Sequence, residues 1–252
     1  MTLADRIALS VVALVLFTMP VFAVLGRDRA MDADVAKRPA TALLGYWVRD
    51  WLMWVIHPVE RVLIHARVSP DIFNYLGVTL GLGAGVTFAT GALSLAGWLV
   101  LIGGLMDIFD GRVARALGVA SARGAFLDST LDRFTEAFAY TGVAVYFAGR
   151  PLGVLVAVVA LGGSLLVSYA RARGEALDVS CKEGLMQRAE RIVLLAAAAI
   201  LDAAVTGALG WAPGLLLAGV LAVIGFGSLG TALFRTASIA RELGRRDAAG
   251  RR

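Results

Sequence analysis

Long apolar segments recur along this chain and limit what it can fold into. Runs of about 20 predominantly apolar residues, the length that carries a helix across a bilayer, occur at about 5–25, 72–92, 96–117, 124–148, 152–173, 189–208 and 213–236. Of the 252 residues, 59% are hydrophobic and only 17% are charged, which is typical of a multi-pass membrane protein. We therefore predict an all-α fold whose main domain, residues 69–240, has six transmembrane helices.

The residues before this domain predict two further elements. The first apolar run indicates an extra transmembrane helix, followed by a cytoplasmic linker, over residues 1–44. A cleaved signal peptide is the alternative, but cleavage would leave basic residues such as Lys37 and Arg38 on the outer side, against their usual preference. Residues 45–68 mix tryptophans with arginines at helical spacing and predict an amphipathic helix lying in the membrane interface. Pro58 is expected to bend or break that helix.

Basic residues in the short loops predict the orientation of the chain. They concentrate on the side that also holds the aspartates, and that side ends in a basic tail, residues 241–252, whereas the opposite side holds essentially Arg150. Because such residues favour the cytoplasm, we predict a multi-pass protein of the cytoplasmic (inner) membrane. The net charge of +5 suits anionic lipid or an anionic substrate. Nucleic acid is not an expected partner, because the basic residues are scattered around an apolar body.

Four aspartates interrupt two of the apolar runs: Asp107, Asp110, Asp128 and Asp132. A single charged side chain at a bilayer centre costs about 2.5–3.5 kcal/mol, so a cluster of four requires a compensating role. The first two lie about 60° apart at the end of one helix, and the other two recur every four residues at the start of the next. The short connection between the helices predicts that they are antiparallel neighbours with their carboxylates together.

Carboxylates this close cannot all remain ionised without cations. Hard oxygen ligands indicate a divalent metal, with Mg²⁺ first and Mn²⁺ second. Gly111 and Gly124 leave room for a ligand beside the backbone, and Arg115 is placed to reach a phosphate. One aspartate alone would be read as a solvated helix end; four in register with two glycines and an arginine indicate a site.

A glycine-rich run, Gly77, Gly81, Gly83 and Gly85, superficially resembles a phosphate-binding loop. It falls inside an apolar span with small residues four apart. Close packing against another helix is therefore the favoured interpretation.

The aspartates belong to a longer pattern, Asp107-x2-Asp110-Gly111-x2-Ala114-Arg115-x8-Gly124-x3-Asp128-x3-Asp132. This pattern resembles in full the signature of the CDP-alcohol phosphotransferase (phosphatidyltransferase) family, and the resemblance extends over about residues 58–240. It implies a six-helix membrane enzyme, commonly a homodimer, that uses one or two metal ions and a CDP-linked donor, normally CDP-diacylglycerol.

The resemblance also implies a role for each matching position. Asp107, Asp110 and Asp128 would bind metal, and Asp132 would act as the general base, with metal coordination also assigned to it. The residues that would line the donor site are Asn74, Gly111, Ala114, Arg115, Ser121 and Gly124. Asn74 stands where the family usually has Thr.

The acceptor is indicated by two further segments, "SYARARGE" at 168–175 and "GLMQRAERI" at 184–192. They resemble segments of bacterial phosphatidylinositol-phosphate synthases, whose acceptor is inositol phosphate. The candidate acceptor residues are then Ser168, Arg171, Arg188, Arg191 and Arg235. Arg171 replaces the usual Lys, which changes a point charge into a planar fork. Inositol phosphate is therefore the first acceptor, glycerol 3-phosphate the second, and a non-phosphorylated alcohol such as serine or free inositol the third.

Two other classes of protein remain to be weighed. A cation-coupled transporter or channel also places carboxylates in a membrane, but acidic residues near the midplane or an internal repeat would be expected, and neither is seen. A non-catalytic scaffold would tolerate Asn in place of the aspartates. Transfer chemistry is the favoured interpretation.

Overall fold

The computed structural model describes residues 2–26, 29–36 and 44–250, and every regular element in these ranges is a helix. The helices are α1 (Leu3–Leu25), α2 (Ala33–Ala36), α3 (Tyr46–His65), α4 (Pro70–Ala89), α5 (Leu93–Ala116), α6 (Ala122–Tyr146), α7 (Pro151–Glu175), α8 (Arg188–Leu209) and α9 (Leu215–Gly250). The predicted all-α class is confirmed. Lys37, Arg38 and the last two residues of the predicted tail lie outside the described ranges, whereas the rest of that tail continues helix α9.

Six of these helices are long and apolar enough to cross a membrane: α1, α4, α5, α7, α8 and α9. Helix α6, predicted as a further span, is present with 25 residues but is too rich in charge to meet the same criterion. It carries Asp128 and Asp132 on its first turns. Its charge is therefore part of the site rather than evidence against its place in the bundle.

Helix α4 lies between the two helices that carry the aspartates. Its main packing partners are α5 on one side and α6 on the other, and α5 also packs against α8. The prediction that α5 and α6 pack side by side is therefore wrong for most of their length, although their ends do bring the carboxylates together. The short connection fixes only the ends of the two helices, and the close fit of α4 against α6 decides the rest.

Glycines make the contact between α4 and α6 close. A Cβ on Gly81 would lie 2.6 Å from Thr135 Cγ2, and one on Gly85 would lie 2.5 Å from the carbonyl oxygen of Phe138. A Cβ on Gly142 would overlap the backbone of Gly85. The predicted close approach is thus observed at Gly81 and Gly85, whereas Gly77 and Gly83 have ordinary clearances.

Replacing Gly142 by Ala is expected to lower the thermal stability in detergent, because the methyl group meets backbone that cannot rotate away. Over-packing of this kind costs about 1–3 kcal/mol. Gly207→Ala is the matched control, since nothing lies within 4 Å of a Cβ added there. Equal melting temperatures for the two variants would contradict the close contact.

A buried carboxyl group joins α8 to the start of α9, at the end of α8 opposite the aspartates. Asp202 of α8 is 1% exposed and accepts hydrogen bonds from the backbone N–H groups of Gly214, at 2.7 Å, and Leu217, at 3.1 Å. These groups at the start of α9 have no partner within their own helix. This buried carboxyl group therefore fixes where α9 begins.

Helix α3 packs on the first helix through aromatic side chains. Phe22 of α1 lies 5.7 Å from Trp47 and 5.6 Å from Trp54, measured between ring centroids, and Trp51 donates its indole N–H to Thr18 at 2.9 Å. Pro58 does not break α3, contrary to one of the two predicted outcomes. Contacts on both sides of Pro58 hold the helix, which outweighs the loss of one backbone hydrogen bond.

Candidate active site

Three carboxylates meet where the ends of α5 and α6 converge. Asp107, Asp110 and Asp128 each offer an oxygen atom, and these atoms all lie within 4.8 Å of one another. Asp128 Oδ1 is buried and has no hydrogen-bond partner. An unpartnered buried oxygen beside two other carboxylates is a donor set that suits a hard divalent cation. The residues present therefore fit the metal that the sequence predicts.

Asp132 lies one turn further along α6 and is not one of these three. Its Oδ1 forms an ion pair with Nη2 of Arg188 at 2.6 Å, while Nη1 of the same arginine lies 2.8 Å from Asp107 Oδ2. One guanidinium thus bridges carboxylates from two helices. The predicted role of Asp132 as a fourth metal ligand and as the base stays a prediction.

Glu136 is a site residue that the sequence analysis missed. Its Oε1 lies 2.7 Å from Nη2 of the buried Arg191 and 3.7 Å from Nε of Arg188, and Ser164 donates its hydroxyl to Oε2. A detectable signal was present, because the spacing of four that joins Gly124, Asp128 and Asp132 continues to Glu136. The acidic stripe on α6 therefore runs one turn deeper than predicted.

The predicted donor residues lie on the first turns of α4 and α6 and on the last turns of α5. Asn74 lines the same cavity as Asp107, Asp128 and Asp132. Ser121 caps α6 by accepting a hydrogen bond from the backbone N–H of Gly124 at 3.1 Å. The other three follow on the last turns of α5: Gly111, Ala114 and Arg115.

The predicted acceptor residues separate into two groups. Arg188 and Arg191 lie at the carboxylates, at the start of α8. Arg171 instead forms an exposed pair with Glu175 at 2.9 Å, and Ser168 is half-buried on the same helix.

Arg235 is buried and donates to the backbone carbonyls of Lys182, Glu183 and Val167. Its predicted contact with an acceptor stays a prediction, and in this structure its donors hold the loop.

The loop between α7 and α8 is hydrogen-bonded to α9 at three positions along that helix. Arg246 donates to the carbonyl of Asp178 at 3.1 Å, Arg235 holds the middle of the loop, and the backbone N–H of Met186 donates to the hydroxyl of Thr231 at 3.0 Å. The loop therefore runs antiparallel to α9 and leads directly into Arg188. The position of the loop therefore fixes the start of α8, which carries Arg188 and Arg191.

A segment from before the main domain also reaches the site, and no sequence pattern predicts this. Arg112 of α5 pairs with Asp32 at 3.1 Å and with Glu60 at 2.7 Å, and Asp34 lies 2.9 Å from the signature residue Arg115. Long-range pairs of this kind have no local sequence pattern. We call residues 29–36 the acidic strap.

The strap is expected to weaken in acid. Burial raises the pKa of Asp32, but hydrogen bonds from Arg112 outweigh it and leave the pKa below its usual value. A carboxyl group whose pKa is lower in the folded state stabilises that state above its unfolded pKa of about 3.9, and this is lost as the pH falls through the folded value. Asp32→Asn should therefore melt below the wild type at pH 7, with the difference closing below about pH 3.9. Asp71→Asn, which removes the partner of the exposed Arg123, is the control; a difference that persists in acid would contradict the pairing.

Comparison with known proteins decides the family. The sequence profile of the CDP-alcohol phosphatidyltransferases matches residues 67–237. The chain belongs to this family. It is a phosphatidyltransferase of a metal-dependent family and not a transporter or a scaffold. The aspartates, glycines and arginine of the predicted signature all fall within the matched residues.

Relatives of this phosphatidyltransferase carry a more specific name. This chain is 42% identical over 145 residues to a phosphatidylinositol phosphate synthase of Cutibacterium acnes. The alignment covers 56% of this chain and 70% of the relative. A protein of the same name from Streptomyces avermitilis is 34% identical over 235 residues, or 90% of this chain and 93% of the relative. Among solved structures, the Mycobacterium tuberculosis phosphatidylinositol phosphate synthase with CDP-DAG bound superposes with a TM-score of 0.63 at 26% identity, covering 72% of this chain and 92% of that one. A complex of the same enzyme with manganese and citrate is equally similar.

Proposed function

We propose that this phosphatidyltransferase moves the phosphatidyl group of CDP-diacylglycerol onto a hydroxyl of inositol phosphate and releases CMP. The observation that carries the proposal is the position of two arginines beside the carboxylates: Arg188, which pairs with Asp107 and Asp132, and Arg191, which is buried against Glu136. Arginines next to the reacting groups suit an acceptor that brings its own phosphate. The names of the relatives support the same acceptor.

The metal is proposed to be Mg²⁺ or Mn²⁺, one or two ions, held by Asp107, Asp110 and Asp128. When bound, it neutralises negative charge that develops on the leaving phosphate. The three carboxylates come from α5 and α6, so these residues would hold the metal from both of the helices that the packing of α4 keeps apart. The manganese in the similar solved structure supports this choice of cation.

The protein groups supply orientation and proton transfer. Gly111, Ala114 and Gly124 expose backbone that a diphosphate can approach closely, while Arg115, Ser121 and Asn74 offer polar contacts to the diphosphate and the cytidine. The acceptor oxygen attacks the lipid-side phosphorus, the bond from that phosphorus to the CMP oxygen breaks with its electron pair leaving on CMP, and Asp132 takes the hydroxyl proton. Asp132 lies one turn further into α6 than Asp128 and pairs with Arg188.

The setting of the site suits a lipid donor. The aspartates, the loop after α7 and the acidic strap share one end of the bundle, which is also the basic end. We infer that this end faces the cytoplasm and that the protein lies in the inner membrane. A homodimer is also proposed, on the resemblance to the family.

The acceptor is tested by CMP release from purified protein in detergent, with CDP-diacylglycerol and Mg²⁺. Inositol phosphate, glycerol 3-phosphate, free inositol and serine are supplied separately. We expect CMP only with inositol phosphate and no CMP without an acceptor. Release with glycerol 3-phosphate instead would change the acceptor but keep the reaction, and no release with any of them would contradict the proposal.

A further inference from the structure

Arg188 contacts one of the carboxylates that a metal ion also needs. Its guanidinium pairs with Asp107 on α5 and with Asp132 on α6, and its Nε is buried without a hydrogen-bond partner. Asp107 belongs to the group of three that can hold a metal. The same carboxylate therefore serves two competing cations.

We propose that Arg188 is the internal counter-cation of the metal site and that it leaves Asp107 when a divalent ion binds. This inference rests on the metal site of the proposed function. An arginine and a divalent ion on one carboxylate repel each other, and such a repulsion is strong where water is excluded. Metal binding must then include the displacement of the guanidinium.

Glu136 is placed to receive the displaced arginine. Its Oε1 already lies 3.7 Å from Nε of Arg188, and it is outside the group of three metal-binding carboxylates. Arg191 shares the same oxygen at 2.7 Å, so Glu136 anchors both arginines. A short movement toward Glu136 keeps Arg188 paired without leaving a bare charge in the interior.

The displacement would also prepare the acceptor side. Asp132 Oδ1 pairs with the Arg188 guanidinium, and release of that contact leaves the oxygen free to meet an acceptor hydroxyl. The guanidinium stays within the same pocket as a donor for the acceptor phosphate. Arg188 is thus a positioning residue that couples metal binding to the availability of Asp132.

The test is a titration with Mn²⁺ alone, in detergent and without substrates. Electron paramagnetic resonance of free Mn²⁺ gives the dissociation constant independently of activity. We expect Arg188→Gln to bind Mn²⁺ about tenfold more tightly than the wild type, the equivalent of about 1.4 kcal/mol, because the competing cation is gone. The same variant should melt lower without metal and gain more from added Mn²⁺.

Arg123→Gln is the matched control, since it removes an equal charge from an exposed pair at the start of α6 and should leave the dissociation constant unchanged. Unchanged or weaker Mn²⁺ binding by Arg188→Gln overturns the proposal. If that variant does not fold, Arg188→Lys replaces it, because a single ammonium cannot reproduce the planar fork that spans Asp107 and Asp132; Mn²⁺ affinity equal to the wild type then overturns the proposal. Failure of CMP release with all acceptors would instead remove the proposed function and leave the Mn²⁺ result standing.

Discussion

Asp132→Asn is expected to lower the rate of CMP release by about 10²–10⁴-fold, the contribution typical of a positioned general base. The amide keeps the shape of the side chain but cannot accept the hydroxyl proton. Mn²⁺ binding should not weaken, because Asp132 is not one of the three carboxylates that lie within 4.8 Å of one another. The rate of CMP release and the affinity for Mn²⁺ together distinguish a role of Asp132 as general base from a role as metal ligand.

The control for this variant is Asp178→Asn, which makes the same chemical change in an exposed loop residue. Asp178 has a positive φ of 56°, a conformation that Asn also accepts readily. Full activity of Asp132→Asn would remove it as the base. Loss of Mn²⁺ binding would instead assign Asp132 to the metal, which is the second role that the sequence resemblance implied.

Glu136→Ala is expected to lower the free energy of unfolding by about 3–5 kcal/mol, because it leaves a buried cation without its partner. Arg191 is only 2% exposed, and its strongest ionic contact is with Glu136. The double variant Glu136→Gln with Arg191→Met should recover most of the loss, since it removes both charges. Thermal unfolding in detergent measures both variants without relying on activity.

Glu175→Ala provides the comparison, because its partner Arg171 lies four residues away on an exposed helix face. Pairs of that kind contribute about 0–1 kcal/mol. A Glu136→Ala protein as stable as Glu175→Ala would show that the buried network does not hold the site together. Failure of the double variant to recover stability would place the loss elsewhere than in the unpaired arginine.

The sequence predicted the parts of this protein that follow local patterns. Apolar length marked the helices, and the spacing of Asp107, Asp110, Asp128 and Asp132 predicted their convergence because helical geometry fixes which side chains share a face. The same regularity extends to Glu136, so its place beside the aspartates is also predictable from the spacing of four.

Other features depend on contacts that no local pattern specifies. The insertion of α4 between α5 and α6 follows from the fit of Gly85 against Gly142, which only the assembled bundle reveals. Arg188 is one of several loop arginines in the sequence, and nothing in its neighbours distinguishes it from Arg171. The pairs that Asp32 and Asp34 form with α5 span about 80 residues of chain, which explains why the strap was not predicted.

The attachment of the α7–α8 loop to α9 provides a built-in reporter. The only cysteine of the chain, Cys181, lies within that loop, between the points held by Arg246 and Arg235. A thiol-reactive fluorophore would therefore label one known position without any engineered cysteine. Because the loop leads into Arg188, the emission of that probe would follow in real time how the entrance to the site responds as each substrate arrives.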